Sequence, residues 1–223
     1  GESLVEEYIT NVARQKGVVM CIAAGNEGSA QHHIQGKLLN NGDSNDIEIN
    51  VADNEKGFVF QIWNFPPNRI SVSITSPLGE RIERIQPKNN FYSTTKLTLE
   101  NTTVTVGYEF PKNNSAGQLT LIKLQEPTPG LWVVTVYGDI VSDGFYFAWL
   151  PVTGFLSPET FLLNSTPEAT ITAPATASGV ITVGAYNIKN NNLYVDGSRG
   201  PKQSSRIAPN FITPSLIAPS LVA

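Results

Sequence analysis

The apolar positions of this chain follow two different rhythms. Near the start, Leu4, Val5, Tyr8, Ile9 and Val12 recur at helical spacing behind Ser3-Leu4-Val5-Glu6, whose hydroxyl and carboxylate suit a capping box. The pattern predicts a helix over residues 3–16 with its apolar stripe turned to a core. Arg14 and Lys16 suit the helix C-terminus, and Gly17 suits a left-handed closing position. An uninterrupted run, Val18-Val19-Met20-Cys21-Ile22, follows and breaks at Ala23-Ala24-Gly25-Asn26-Glu27-Gly28. A short apolar run ended by a Gly-rich break predicts a buried strand of a parallel α/β sheet. The same texture returns downstream at Val180-Ile181-Thr182-Val183-Gly184-Ala185.

Between these stretches, from about Ile34 to Pro151, the rhythm is two rather than continuous. Ile47, Ile49 and Val51 alternate with polar residues, as do Phe58, Phe60 and Ile62, then Val72 and Ile74. The alternation continues at Leu97 and Leu99, Val104, Val106 and Tyr108, Leu119 and Leu121, Val134 and Val136, and Phe145, Phe147 and Trp149. Turn signals separate them: Asn41-Gly42-Asp43, Pro66-Pro67-Asn68, Pro77-Leu78-Gly79, Lys112-Asn113-Asn114, Pro129-Gly130 and Asp143-Gly144. About eight or nine short strands with frequent turns predict an antiparallel sandwich or jelly roll. The expected fold class is therefore α/β plus all-β, a partial parallel α/β layer interrupted by an antiparallel β-sandwich. The expected segments are 1–35 for the first α/β piece, 36–151 for the insert and 152–223 for the return. Insertions of this kind are tolerated where the host loop's ends lie close together.

Bulk properties narrow the function classes. The chain has 223 residues, 40% of them apolar and 15% charged, enough to build a core and too apolar for a disordered segment. Net charge is −4 and Lys/Arg residues are not clustered, which disfavours nucleic acid as a partner. No apolar run approaches the roughly 20 residues of a membrane span, and no signal peptide is expected at the start. The single cysteine, Cys21, excludes a disulfide framework and a thiolate-rich metal site, and its apolar neighbours predict a buried, inert thiol. His32 and His33 are adjacent, a poor spacing for a metal, and suit a loop-ordering role. No metal and no cofactor are expected.

Asn26 carries the strongest chemical signal. It follows a predicted strand of a parallel sheet, where ligands collect beyond the carboxyl ends. A carboxamide N–H there can stabilise a developing oxyanion, and an Asn in a tight turn can equally cap its own backbone. The small side chains of Ala23, Ala24 and Gly25 leave backbone free to line a pocket, or allow close packing beneath a helix.

With these residues set out, the chain resembles the subtilisin-like serine proteases. Val18 to Gly28 is similar to the family segment that bears the oxyanion-hole asparagine. Thr172-Ala173-Pro174-Ala175-Thr176-Ala177 running into Val180 to Ala185 is similar to the strand that follows it in the family. Ser198-Arg199-Gly200-Pro201, then Arg206-Ile207-Ala208-Pro209-Asn210-Phe211-Ile212-Thr213-Pro214-Ser215, is similar to the stretch preceding the nucleophile. The order and spacing agree once the alternating block is removed. Within the family, the Csp-type clostridial proteases with a jelly-roll insert are the nearest in pattern, through His32-His33, Pro129-Gly130-Leu131-Trp132, Gly144 to Pro151 and Gly184-Ala185-Tyr186-Asn187.

The resemblance implies peptide-bond hydrolysis, with Asn26 catalytic in the oxyanion hole and Ala23, Ala24 and Gly25 binding substrate in the specificity pocket. The implied partners are a protein or peptide substrate and the remaining parts of the protease domain, and the implied location is extracellular or on the spore. The family's Asp, His and Ser motifs do not occur in the sequence, so it is expected to be the central part of a longer protease and inactive alone. The tail departs from the family at Ala208-Pro209-Asn210 and Ser215, which leaves open a catalytically dead pseudoprotease with a binding role. Trp63, Trp132, Tyr137, Phe145, Phe147 and Trp149 suit a core at strand period, or a carbohydrate-binding platform. Asn101-Thr102-Thr103, Asn113-Asn114-Ser115 and Asn164-Ser165-Thr166 match the glycosylation sequon, expected unmodified in a bacterial-looking chain.

Overall fold

The computed structural model describes residues 3–110, 117–201 and the backbone of 211–215. The turn residues Lys112, Asn113 and Asn114, the sequon at Asn113, and Arg206 to Asn210 lie outside the described residues. The elements run α1 (Leu4–Ala13), β1 (Cys21–Ala23), β2 (His33–Lys37), β3 (Ser44–Val51), β4 (Gly57–Asn64), β5 (Arg69–Thr75), β6 (Arg81–Ile85) and β7 (Phe91–Lys96). They continue with β8 (Thr103–Glu109), β9 (Gln118–Gln125), β10 (Gly130–Ile140), β11 (Phe145–Trp149), β12 (Phe161–Leu162), β13 (Ile181–Asn187) and β14 (Phe211–Ser215). They group into two compact units, one made of Gly1–Ala30 and Pro167–Ala223, the other of Gln31–Thr166.

The unit Gln31–Thr166 is a two-sheet sandwich. A five-stranded sheet of order β12-β3-β10-β5-β6 faces a six-stranded sheet of order β2-β11-β4-β9-β8-β7, and every strand pairing in both is antiparallel. The inward residues of both sheets form one core, with Ile49, Phe60, Val72, Ile122, Trp132 and Tyr146 among its fully buried members. The Trp132 indole is satisfied there, its N–H donating to Thr128 O at 2.8 Å. Buried polar groups also tie the sheets together. The Tyr108 hydroxyl, on β8, donates to Ile85 O at 2.6 Å and accepts from Val72 N–H at 3.1 Å. Val72 and Ile85 sit where the β5–β6 register shifts, so the phenol fills a gap in the ladder. Gln118 on β9 likewise donates to Ile70 O at 2.8 Å and accepts from Ile70 N–H at 3.3 Å.

Several expectations within the sandwich are corrected. Leu97 is buried, but it follows β7, and Leu99 is exposed in a bend outside any strand. On β9 the core-facing residues are Gln118, Thr120, Ile122 and Leu124, so Leu119 and Leu121 lie on the opposite, outer face. On β11 the core takes Tyr146 and Ala148, and Phe145, Phe147 and Trp149 are half-buried on the outer face. Both strands carry apolar residues on both faces, so apolar alternation alone does not say which face meets the core. The short strands β2 and β6 carry charged residues at sheet edges, which hides them from an apolar period.

The other unit holds a three-stranded sheet of order β1-β13-β14, with both pairings parallel. Helix α1 starts at Ser3 with the full capping box: Glu6 N–H donates to Ser3 Oγ, and Ser3 N–H donates to Glu6 Oε2 at 3.1 Å. The helix closes at Ala13, three residues short of the predicted end, and Gly17 is left-handed with φ of 83°. Its orientation is the larger correction. Leu4, Val5 and Tyr8 are exposed, and Glu6 is the buried residue of the helix. The helix is held to its own unit through polar groups: Thr176 Oγ1 donates to Glu6 Oε1, and Ser178 N–H donates to Thr10 Oγ1 at 3.1 Å. Burial pushes the Glu6 carboxyl up, and hydrogen bonds from Thr176 and Ser3 outweigh it, leaving the group below its ordinary value.

The strands of this unit are also less covered than predicted. β1 spans only Cys21–Ala23, and Cys21 is exposed rather than buried. On β13 only Thr182 is fully buried. Among the described residues, no helix is long and apolar enough to cross a membrane.

Candidate functional site

Asn26 lies on the exposed turn just past the carboxyl end of β1, the position at which parallel sheets collect ligands. The turn begins on a fixed base. Ala24, buried, donates its N–H to Val183 O at 2.8 Å, continuing the β1–β13 ladder by one residue. Its carbonyl accepts from Thr172 N–H at 3.0 Å and from Thr172 Oγ1 at 3.3 Å.

Gly25 then leaves the strand with φ of 102°, a region that favours glycine, and its missing side chain is part of the design. A Cβ there would meet Thr172 Oγ1 at 2.4 Å and Ser198 Oγ at 3.0 Å. On either side of Asn26 the backbone is engaged by one residue, Ser198, which is buried. Ser198 N–H donates to Gly25 O at 2.9 Å, and Glu27 N–H donates to Ser198 Oγ at 2.9 Å. One residue further, Gly28 N–H donates to Asp196 O at 2.9 Å, and a Cβ on Gly28 would meet Gly197 O at 2.3 Å. Ser29 Oγ donates to the Asp196 carboxylate. The same carboxylate accepts from the Tyr194 hydroxyl, a hydrogen bond that raises the Tyr194 pKa. The result is a closely pinned turn whose exposed residue, Asn26, carries a carboxamide able to donate to an oxygen bearing negative charge.

The four predicted site residues therefore lie together, because they are consecutive. Ala23 is exposed, Ala24 buried, Gly25 half-buried and Asn26 exposed. Sequence reasoning missed Ser198 and Thr172 as the groups that fix the turn. Ser198 was visible as part of Ser198-Arg199-Gly200-Pro201, yet no local pattern signals a partner 171 residues away. Among the described residues, no cluster of His, Cys, Asp or Glu could hold a metal ion.

The remaining predicted residues belong to the sandwich. His32 and His33 are both buried: His32 lies just ahead of β2, its carbonyl accepting from Leu150 N–H at 2.9 Å, and His33 opens β2. The His33 ring stacks on Trp149 at 4.8 Å between centroids and its Nδ1 lies 3.2 Å from Thr166 Oγ1. Phe147 continues the stack, 5.9 Å from Trp149, and faces Trp63 across the β11–β4 pairing. Of the six aromatics, Trp132 is core, and Tyr137 lies on the outer face of the five-stranded sheet beneath Arg84, whose guanidinium is 4.6 Å from its ring centroid.

No protein-family model matches this chain, and no curated protein matches it. Among solved structures it is similar to the CspB protease of Clostridium perfringens, with a TM-score of 0.86 and 30% identity. The similarity covers 96% of this chain and 44% of that one, so the chain spans less than half of the protease it matches. A fold correspondence this extensive relates the described architecture to that of a clostridial protease.

Proposed function

We propose that this chain is the central part of a subtilisin-like serine endopeptidase, and that Asn26 supplies the carboxamide of its oxyanion hole. The observation that carries the reading is the pinned, exposed Asn26 at the carboxyl end of a parallel strand. The similarity to a clostridial protease across 96% of the chain supports it. In the whole protein, a serine outside this chain, deprotonated by a histidine, attacks the scissile carbonyl. The carbonyl π electrons move onto oxygen, and the Asn26 N–H meets that charge as it forms. The backbone of Ala23 and Gly25 borders the substrate side chain, and Ala24, whose carbonyl is occupied by Thr172, anchors that wall.

The exposed apolar residues of this unit fit the same reading. Leu4, Val5 and Tyr8 of α1 and Val19 ahead of β1 are each more than half exposed, an arrangement that marks a surface meant to be covered. The remaining parts of the protease body are the proposed cover.

Peptide hydrolysis by the whole protease tests the proposal. Asn26→Ala should lower kcat by about 10²–10³ and leave KM little changed, as removal of one oxyanion donor does. An unchanged kcat refutes the oxyanion role, and a whole protein with no activity supports the pseudoprotease motivated by Ala208-Pro209-Asn210 and Ser215.

A second reading concerns the sandwich. Phe145, Phe147, Trp149 and Trp63 share an outer sheet face and are half-buried rather than core, which favours a glycan-stacking surface. Retention of the chain on immobilised polysaccharides, lost in Trp63→Ala and Phe147→Ala, is the expected result. Absence of binding across a broad glycan array disposes of it.

A further inference from the structure

We infer that Ser198 is the positioning residue for Asn26, acting through both of its backbone neighbours, an inference that rests on the oxyanion reading above. The geometry is a bracket. Ser198 donates its own N–H to the carbonyl of the residue before Asn26 and accepts, through its hydroxyl, from the N–H of the residue after it, both at 2.9 Å. Both bonds belong to one buried residue, so the two ends of the three-residue segment Gly25-Asn26-Glu27 are fixed to a single point. A turn held at one end only can pivot. A turn held at both ends by one residue keeps the direction in which its middle side chain leaves the backbone.

Packing closes the remaining freedom. Gly25 is wedged beneath Thr172 and Ser198 so closely that a Cβ would reach 2.4 Å from Thr172 Oγ1 and 3.0 Å from Ser198 Oγ. Ala24 is anchored behind it by Thr172, and Gly28 ahead of it by Asp196 O. Asn26 is left as the exposed residue between clamped neighbours. An oxyanion donor gains its effect from being aimed before the reaction starts, since reorientation during the reaction would cost what the hydrogen bond contributes. A displacement near 1 Å is enough to lose on the order of 10²-fold in rate. Ser198→Ala keeps the N–H bond to Gly25 O and removes the hydroxyl acceptor, so the Glu27 N–H loses its partner and one end of the turn is released.

The test is a double-mutant cycle in the whole protease. Ser198→Ala is expected to lower kcat about 10-fold, with KM within about twofold, a part of the 10²–10³ lost with the amide itself. In the Asn26→Ala background the same substitution should have no further effect, because the residue acts only through that side chain. Ser198→Cys, with similar volume and a weaker acceptor, should fall between wild type and Ser198→Ala and covers the case in which the alanine variant fails to fold. A kcat for Ser198→Ala and Ser198→Cys within twofold of wild type, while Asn26→Ala is impaired, overturns the inference alone. So does an undiminished Ser198→Ala effect in the Asn26→Ala background, which would mark a general structural role. An Asn26→Ala variant as active as wild type, or a wild type without activity, removes the oxyanion reading and this inference with it.

Discussion

Replacing Tyr108 with Phe removes one oxygen from the middle of the sandwich and nothing else. The ring stays, so no cavity larger than the hydroxyl is created and the apolar burial of Tyr108 is retained. Two hydrogen bonds vanish, at 2.6 Å to Ile85 O and 3.1 Å from Val72 N–H. Ile85 is only partly buried and its carbonyl can recruit water, but Val72 is fully buried and its N–H lies at the register shift between β5 and β6. A buried donor without a partner costs about 1–3 kcal/mol, and the loss at Ile85 adds up to about 1 kcal/mol. The expected destabilisation is therefore about 1–4 kcal/mol, read as a lower midpoint in urea unfolding of the full chain with an unchanged slope. Burial also holds the Tyr108 hydroxyl well above its ordinary value of 10.0. A group with a raised folded pKa contributes stability that is complete below its unfolded pKa and declines as pH rises toward the folded one. Wild-type stability should accordingly fall above about pH 10, and the Phe variant should lose less over that range. A destabilisation below about 0.5 kcal/mol would refute the claim that the hydroxyl completes the ladder.

Further outcomes follow from the same structure. Gly25→Ala should destabilise its unit by at least about 1–2 kcal/mol from the backbone conformation alone, with more from displacing Thr172, measured by thermal unfolding. Glu6 should contribute stability that is present above its ordinary pKa of 4.5 and lost as pH falls through its lowered folded value, and Glu6→Gln should flatten thermal stability between about pH 5 and 2. Cys21 should react fully with an aromatic disulfide reagent in the native chain without denaturant, and protection in the proposed whole protease would mark the covering of β1.

What the sequence disclosed depended on how local each signal was. The capping box at Ser3 and Glu6, the left-handed Gly17 and most of the alternating strands are set within a few residues, and the structure has them. The phase of β9 and β11 was not local: Leu119 and Phe147 are as apolar as Ile122 and Tyr146, and the choice of inner face depends on what the opposite sheet presents. The same holds for α1, where a hydrogen-bonded Glu6 occupies the inward position, Leu4, Val5 and Tyr8 face outward, and Ile9 and Val12 are only half-buried. Asn26 could be singled out because a strand, a glycine and a carboxamide stand in sequence. Ser198, which fixes it, could not, because the contact joins residues brought together only by folding.

The central claim is that Asn26 points at a developing oxyanion. A crystal structure of the whole protease, covalently inhibited by a peptidyl mimic of the tetrahedral intermediate, measures this directly. The expected result is Asn26 Nδ2 at about 2.7–3.1 Å from the inhibitor's oxyanion, with the Ser198 bracket intact. An oxyanion held by other groups with Asn26 turned away, or a protein in which no covalent adduct forms, would contradict it.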